Sequence, residues 1–402
     1  MTSKKKCFLL FLSIALLALN TKAGTVEDAA GGIVDKVKGN DTTNIQKVFF
    51  LMNYLDFCVL PRTTLASYKY FQAYYRQLGF DKEQNMHLID ENFLLNRTFD
   101  YNPDVYRIPL KSHRIWITSP NNPREMLDVL VDEDLQAKLA RTSKILDEAA
   151  ERDPYNKDGK HKWQHIFWVN DKKLIPRSVK FMEESGFIVR ELTELQIFDD
   201  VMLEALIDYI ETDRVGAAAD FARMAINYET GGFYIDLDFW LKEWDMNINK
   251  IFDFFGFKCG EFVTSYVLFT WGFLSRAKHP IHLNYLTEFK KNYLLQRQKE
   301  RDGKPLHLLP CWVVTSGSTL YDTGPYFYDN AYFQTFMKGQ NDQILVVWDI
   351  THQEFWSNKV KVSTGEEITL RIAGFQPGQG SWANDYIDAA NFGFPELNEY
   401  KF

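Results

Sequence analysis

Four charged side chains in one short segment could together bind a divalent cation and an anionic, hydroxyl-rich ligand. Asp236 and Asp238 follow a short apolar run, and Asp220 and Arg223 precede them, one helical turn apart. Carboxylate oxygens are the hard ligands that Mg²⁺ and Mn²⁺ prefer. The segment therefore predicts a divalent metal site at Asp236 and Asp238, next to groups that can hydrogen-bond hydroxyls.

A helix, a glycine break and a strand would bring the two pairs together. Alanines recur between residues 217 and 225, which keeps the predicted helix thin enough to lie close to a sheet. Gly231-Gly232 can adopt the conformations that end a helix or allow a close approach. If the strand that follows continues, Asp236 and Asp238 point to one side and Leu237 points into the core. An isolated Asp-x-Asp is more often a solvated strand end, but the whole arrangement favours a functional site.

Alternating strands and helices predict the frame for this segment. Apolar runs at 114–118, 165–169 and 233–235 indicate strands, and helical patterns lie between them. Such alternation is typical of α/β proteins with a mainly parallel sheet, in which ligands bind at the carboxyl ends of strands. Trp116 and Asn170 fall near such ends.

Composition limits the class of protein. The chain has 402 residues, 46% of them hydrophobic and 25% charged, which is globular, with a formal net charge of -8. Residues 1–23 have a lysine-rich start, an apolar run and small residues before Gly24, which predicts a cleaved secretory signal peptide. Cleavage would remove four lysines and no acidic residue, taking the charge from -8 to -12. So acidic a chain argues against nucleic-acid binding.

The signal predicts the secretory route: the ER or Golgi lumen or the exterior in a eukaryote, the periplasm or export in a bacterium. Residues 24–105 are predicted to form a helical N-terminal extension and residues 106–402 the main domain. Cys58, Cys259 and Cys311 would remain after cleavage, so one disulfide is possible and the pair stays open.

The motif D-x-x-R…Y-x-x-G-G-x-Y-x-D-x-D, from Asp220 to Asp238, resembles the DXD sugar-binding region of GT-A-fold glycosyltransferases. Similar spacings occur in initiating α-1,6-mannosyltransferases, α-1,4-galactosyltransferases and clostridial glucosylating toxins. The stretches 114–117 and 167–171 are similar to the first two strands of that family, and Ser381-Trp382 resembles its C-terminal SW element. The resemblance covers about residues 106–384.

Site roles follow from the resemblance, residue by residue. Asp238 would bind the metal directly, and Asp236 would hold ribose or sugar and reach the metal. Asp220 and Arg223 would bind hydroxyls of the donor sugar. The remaining expected contacts are with the nucleotide: Trp116 on the base, Tyr234 as support, and Ser381 and Trp382 over the diphosphate.

The resemblance also implies a GT-A fold: a Rossmann-like mixed sheet flanked by helices. It implies a retaining, Mn²⁺- or Mg²⁺-dependent glycosyltransferase. Such an enzyme moves a hexose from a UDP- or GDP-sugar to a glycan, lipid or protein. The family's usual histidine before the SW element is missing, so the third metal ligand stays open among His352, Ser381 and Asn384. Three alternatives also stay open: a secreted toxin that glycosylates a host protein, a nucleotide-sugar hydrolase or binding protein, and an inactive lectin-like relative.

Overall fold

The computed structural model describes residues 94–130, 135–259, 267–302 and 355–375, together with the short stretches 323–324, 327–328, 331–332, 334–335, 338–340 and 343–348. The predicted signal peptide, nearly all of the predicted N-terminal extension, His352 and Ser381-Trp382 lie outside these residues.

The described strands form two sheets. The larger has seven strands in the order β4-β3-β2-β5-β8-β7-β9, and the smaller has four in the order β1-β10-β11-β6. The strands of the larger sheet are β2 (Lys111–Trp116), β3 (Gln164–Val169), β4 (Ile188–Glu191), β5 (Gly232–Ile235), β7 (Phe254–Cys259), β8 (Val267–Ser275) and β9 (Ile344–Trp348). Those of the smaller sheet are β1 (Thr98–Phe99), β6 (Trp240–Glu243), β10 (Phe355–Val362) and β11 (Glu367–Phe375).

Helices connect and cover these strands. Those in the described residues are α1 (Met126–Val129), α2 (Leu135–Arg152), α3 (Pro176–Glu184), α4 (Asp200–Glu211), α5 (Val215–Thr230), α6 (Asn247–Ile251) and α7 (Pro280–Arg301), with 3₁₀ turns at Lys172–Leu174 and Leu192–Glu194. Strand–helix alternation along β2, β3, β4 and β5 produces parallel pairing. The predicted α/β architecture, a mixed sheet flanked by helices, is confirmed.

The sheet is parallel only in part. β8 inserts between β5 and β7 and runs antiparallel to both. β9 then pairs parallel to β7. The carboxyl ends of β2, β3 and β5 still meet at one edge, which is where a parallel sheet binds its ligands.

Residues at the start of the described chain belong to the main body. Phe99 in β1 pairs with Val362 of β10 and is 1% exposed within the large hydrophobic cluster. The described end of the predicted N-terminal extension contains helical residues at 94–95, followed by the two-residue strand β1. The division of the chain at residue 106 stays a prediction.

Two hydrophobic clusters pack against the larger sheet. Side chains of α5 and α7 belong to the larger cluster, whereas Phe167, Val169 and Leu237 belong to the smaller one with Met182 of α3. Trp168, between Phe167 and Val169, points to the larger cluster and is 1% exposed. Leu237 is buried, as predicted from the sequence.

Among the described residues, no helix is both long and apolar enough to cross a membrane.

Candidate functional site

The glycine break after α5 is shaped by a close approach between elements. Gly231 follows the last residue of α5 with a positive φ of 61°, and its amide donates to the carbonyl of Asn227 at 2.9 Å. A Cβ on Gly231 would lie 2.6 Å from the amide nitrogen of Ala277. Only glycine tolerates both the left-handed backbone and that contact. The predicted role of this glycine is confirmed.

A buried histidine of β2 holds the Gly231-Gly232 break against the sheet by a hydrogen bond. His113 in β2 donates from Nε2 to the carbonyl of Gly231 at 2.8 Å and accepts at Nδ1 from the Trp168 indole at 3.1 Å. Burial lowers the pKa of His113 to about 4, so the ring is neutral, as this pattern of one donor and one acceptor requires. The start of β5 is therefore held in place by two neighbouring strands.

Arg223 joins the two halves of the predicted motif. Its guanidinium lies 3.3 Å from Asp220 and 3.5 Å from Asp236, and Nη1 donates to the carbonyl of Thr270 at 2.8 Å. The guanidinium also lies over the Tyr234 ring, 4.8 Å from its centroid. Burial lowers the pKa of Arg223, but the acidic groups around it outweigh burial and raise the pKa overall. The arginine is therefore a fixed positive charge.

Tyr234 orients the first aspartate. It is 1% exposed, and its hydroxyl donates to Asp236 Oδ1 at 2.6 Å. Burial raises the pKa of Tyr234 well above its usual value, so the hydroxyl keeps its proton and stays a donor. Tyr234 is buried beneath Asp236 and Arg223 and contacts both. It can therefore affect a bound nucleotide only through these two residues.

Asp220 is a buried carboxylate with two partners. One oxygen faces Arg223, and the other accepts a hydrogen bond from the Thr323 hydroxyl at 3.3 Å. Burial raises the pKa of Asp220 to about 6, although Arg223 acts in the opposite direction. Thr323 is the contact that the sequence did not assign.

The Asp-Leu-Asp segment is a turn. β5 ends at Ile235, and the amide of Phe239 donates to the carbonyl of Asp236 at 3.2 Å. The strand thus does not continue through Asp238, and the alternation expected for a continuing strand does not apply. Asp236 and Asp238 both remain half-buried, on either side of the buried Leu237.

Next to this turn, hydrogen bonds of Trp116 and Asn170 fix the loops that follow β2 and β3. Trp116 ends β2 half-buried, and its indole donates to the carbonyl of Arg124 at 2.9 Å. After β3, the side chain of Asn170 accepts from the amide of Thr118 at 3.0 Å and donates to its carbonyl at 2.9 Å. These bonds hold the loop after β2 beside the loop after β3.

Asp220, Arg223, Tyr234 and Asp236 are therefore in mutual contact, whereas Trp116 lies on the adjacent strand. Ser381 and Trp382 lie outside the described residues. Two carboxylates, Asp236 and Asp238, offer the oxygen ligands that a divalent cation prefers. Among the described residues, no group of three or more His, Cys, Asp or Glu side chains is placed to hold a metal ion.

The segment that carries these residues matches a known protein family. Residues 153–253 match the family described as "Glycosyltransferase sugar-binding region containing DXD motif". The match includes Asp220, Arg223, Asp236 and Asp238, the residues that the fold brings to one sheet edge. No curated protein sequence matches the chain.

Solved structures similar to the chain are glycosyltransferase domains. PaToxG glycosyltransferase shares 15% identity over 57% of this chain and 70% of its own, with a TM-score of 0.40. The UDP-bound glycosyltransferase domain of the YGT toxin shares 10% over 60% and 80%, with a TM-score of 0.35. The catalytic domain of the alpha-toxin from Clostridium novyi shares 11% over 79% and 83%, with a TM-score of 0.34. At such low TM-scores the superpositions carry no inference about substrate or mechanism.

Proposed function

We propose that this protein, whose residues 153–253 match a DXD sugar-binding region, is a metal-dependent, retaining glycosyltransferase. It would transfer a hexose from a UDP- or GDP-sugar to a glycan, lipid or protein acceptor. The observation that carries the proposal is the bridge from Asp220 through Arg223 to Asp236, with distances of 3.3 and 3.5 Å. This bridge is a preorganised set of charges at the carboxyl edge of a parallel sheet, where anionic ligands bind.

The carboxylates of Asp238 and Asp236 fit a divalent cation because they are hard oxygen donors on one turn. Mn²⁺ or Mg²⁺ would be held by Asp238 directly and by Asp236 directly or through water. A cation bound there supplies positive charge that stabilises a departing nucleoside diphosphate. Ser381, or another of the candidates named from the sequence, would complete the shell of ligands.

The donor sugar would be bound by the buried pair Asp220 and Arg223. Asp220 can accept hydrogen bonds from sugar hydroxyls, and Arg223 can donate them, while Ala219 and Thr270 carbonyls keep the guanidinium in place. Because these partners are fixed before the donor arrives, little ordering is needed on binding. In a retaining front-face reaction the acceptor needs no dedicated base, and none is nominated.

The nucleotide would lie against Trp116, whose indole is already held by the Arg124 carbonyl. Ser381 and Trp382 would close over the diphosphate. A signal at residues 1–23 would direct the enzyme to the secretory route. Edman or mass-spectrometric reading of the mature N-terminus tests that point: a start near Gly24 supports it, and an intact Met1 contradicts it.

A donor panel tests the proposed reaction. Purified protein is incubated with UDP- and GDP-hexoses and Mn²⁺, with EDTA as the control, and both nucleotide release and acceptor products are measured. We expect one donor class to release nucleotide and to give an acceptor-dependent product only with metal. Release without any acceptor product would favour the hydrolase alternative. Failure to bind every nucleotide sugar would refute the proposal.

A further inference from the structure

Arg114, in the middle of β2, is a buried charge that the proposed reaction does not yet use. It is 2% exposed, and its Nε and Nη1 atoms are buried without a hydrogen-bond partner in the part of the chain that the structure describes. Burying a guanidinium costs several kcal/mol unless nearby charges or bound groups compensate. A position that needs only packing would take an apolar residue at lower cost.

The register of the sheet places Arg114 beneath the Asp-Leu-Asp turn. His113 pairs with Tyr234 across β2 and β5, so Arg114 lies level with Ile235, one residue before Asp236. Arg114 also pairs with Phe167, whose side chain belongs to the smaller hydrophobic cluster together with Leu237. Since paired residues on parallel strands project to the same face, Arg114 approaches the turn from that face.

Arg223 approaches the same turn from the opposite face. It contacts Asp236 at 3.5 Å and lies over the ring of Tyr234, which alternates with Ile235 along β5 and so projects from the face opposite to Arg114. The two carboxylates of the turn are therefore flanked by one arginine on each side of the sheet. Burial lowers the pKa of Arg114 to about 10, while Tyr234, Asp236 and Asp238 act to raise it. The guanidinium is thus charged at neutral pH, and the DXD carboxylates are among the acidic groups that act on it.

We infer that Arg114 is the buried counter-charge of the Asp236–Asp238 turn, and that it sets the balance between cation binding and nucleoside diphosphate binding at this site. The inference rests on the proposed function. With both arginines present, the negative potential of the two carboxylates is reduced before any ligand arrives. The free site therefore attracts a lone cation weakly and accepts a diphosphate more readily, which favours binding of the two together. Arg114 acts through the turn and is a positioning residue.

Arg114→Met removes the charge and keeps most of the side-chain volume. In nucleotide-free protein, we expect the dissociation constant for Mn²⁺, measured by electron paramagnetic resonance, to fall about tenfold. In EDTA, we expect the dissociation constants for UDP and GDP to rise about tenfold. The melting temperature should change little, because the lost attraction between Arg114 and the carboxylates is offset by the lower cost of burying an apolar side chain. A purely structural arginine would instead lose stability and leave the ratio of the two affinities unchanged.

Two further variants control the measurement. Arg190→Met removes a charge from the same sheet, but the Arg190 side chain is half-exposed and 3.9 Å from Glu194, so both affinities should stay within twofold of wild type. Arg114→Lys keeps the charge and should retain wild-type affinities. If Arg114→Met does not fold, Arg114→Gln, which also lacks the charge, replaces it.

The outcomes separate this inference from the proposed function. If wild-type protein binds neither Mn²⁺ nor any nucleotide, both are refuted. If wild-type protein binds them and folded Arg114→Met binds Mn²⁺ within twofold of wild type, the inference alone is overturned. A tenfold shift in opposite directions for Mn²⁺ and for UDP or GDP, restored by Arg114→Lys, supports it.

Discussion

Replacing Gly232 by alanine should destabilise the protein at the point where β5 leaves the glycine break. Gly232 has a φ of +116°, and a Cβ there would lie 2.5 Å from the Lys111 carbonyl oxygen and 2.9 Å from His113 Nε2. Both neighbours belong to β2, so the added methyl group would push the two strands apart. A positive φ costs a non-glycine residue about 1–2 kcal/mol. Forcing an extra methyl into packed surroundings costs about 1–3 kcal/mol more.

We therefore expect Gly232→Ala to lose about 2–5 kcal/mol of unfolding free energy, measured by urea titration with an unchanged m-value. Gly186→Ala is the matched control, because Gly186 has a φ of +85° and a Cβ there would meet nothing within 4 Å. That control carries only the backbone strain and should lose about 1–2 kcal/mol. Equal losses in the two variants would refute the steric argument. Folded Gly232→Ala should also lose donor turnover, whereas Gly186→Ala should retain it.

Three other predictions follow from buried contacts. Tyr234→Phe removes the hydroxyl that donates to Asp236 at 2.6 Å. Turnover should fall about tenfold, because a hydrogen bond to a charged group contributes about 1.5–3 kcal/mol. A wild-type rate would show that Asp236 needs no such orientation. Burial raises the pKa of Asp220 to about 6, so affinity for the donor sugar should decline as the pH falls through 6 and Asp220 loses its charge. Affinity for free nucleoside diphosphate should not decline over the same pH range. Parallel declines in both affinities would count against this role of Asp220. In the native pair, Lys250 Nζ lies 2.6 Å from the buried carboxylate of Asp153, so Lys250→Met leaves that charge uncompensated. The unfolding free energy from urea titration should fall by about 3–5 kcal/mol, and adding Asp153→Asn should recover part of the loss. No recovery would argue against pairing as the cause.

Local patterns predicted the elements that carry the site. The apolar run 165–169 and the alanine-rich helix were recognisable because the spacing of apolar residues within each segment indicates both its secondary structure and its buried positions. β9, at Ile344–Trp348, is likewise an uninterrupted apolar run. The spacing of Asp220 and Arg223 on one helical face predicted their contact, which the structure confirms at 3.3 Å.

Elements that depend on distant partners were missed. β7, with the sequence FFGFKC, has no alternation of polar and apolar residues, because it lies inside the sheet between β8 and β9 and side chains on both of its faces are buried. β6 is a short strand whose partner, β11, follows more than a hundred residues later. No local pattern contains such a pairing.

The site was predicted by residue type better than by geometry. The condition that β5 continues through Asp238 is not met, because the chain turns at Asp236 and crosses to the smaller sheet. From the sequence, Arg114 was assigned only to a strand. A sequence cannot show that its guanidinium lies next to a turn that follows a different strand. Thr323 likewise reaches Asp220 only through the fold.

Metal-dependent nucleotide release in wild-type protein and in Asp238→Ala tests the central claim most directly. With the preferred donor and Mn²⁺, wild-type protein should release nucleoside diphosphate, and EDTA should stop the release. Asp238→Ala should neither bind the nucleotide in a metal-dependent way nor release it, while remaining folded, because Asp238 lies half-buried on a turn rather than in the core. Unchanged release by folded Asp238→Ala would remove the DXD turn from the reaction and contradict the account.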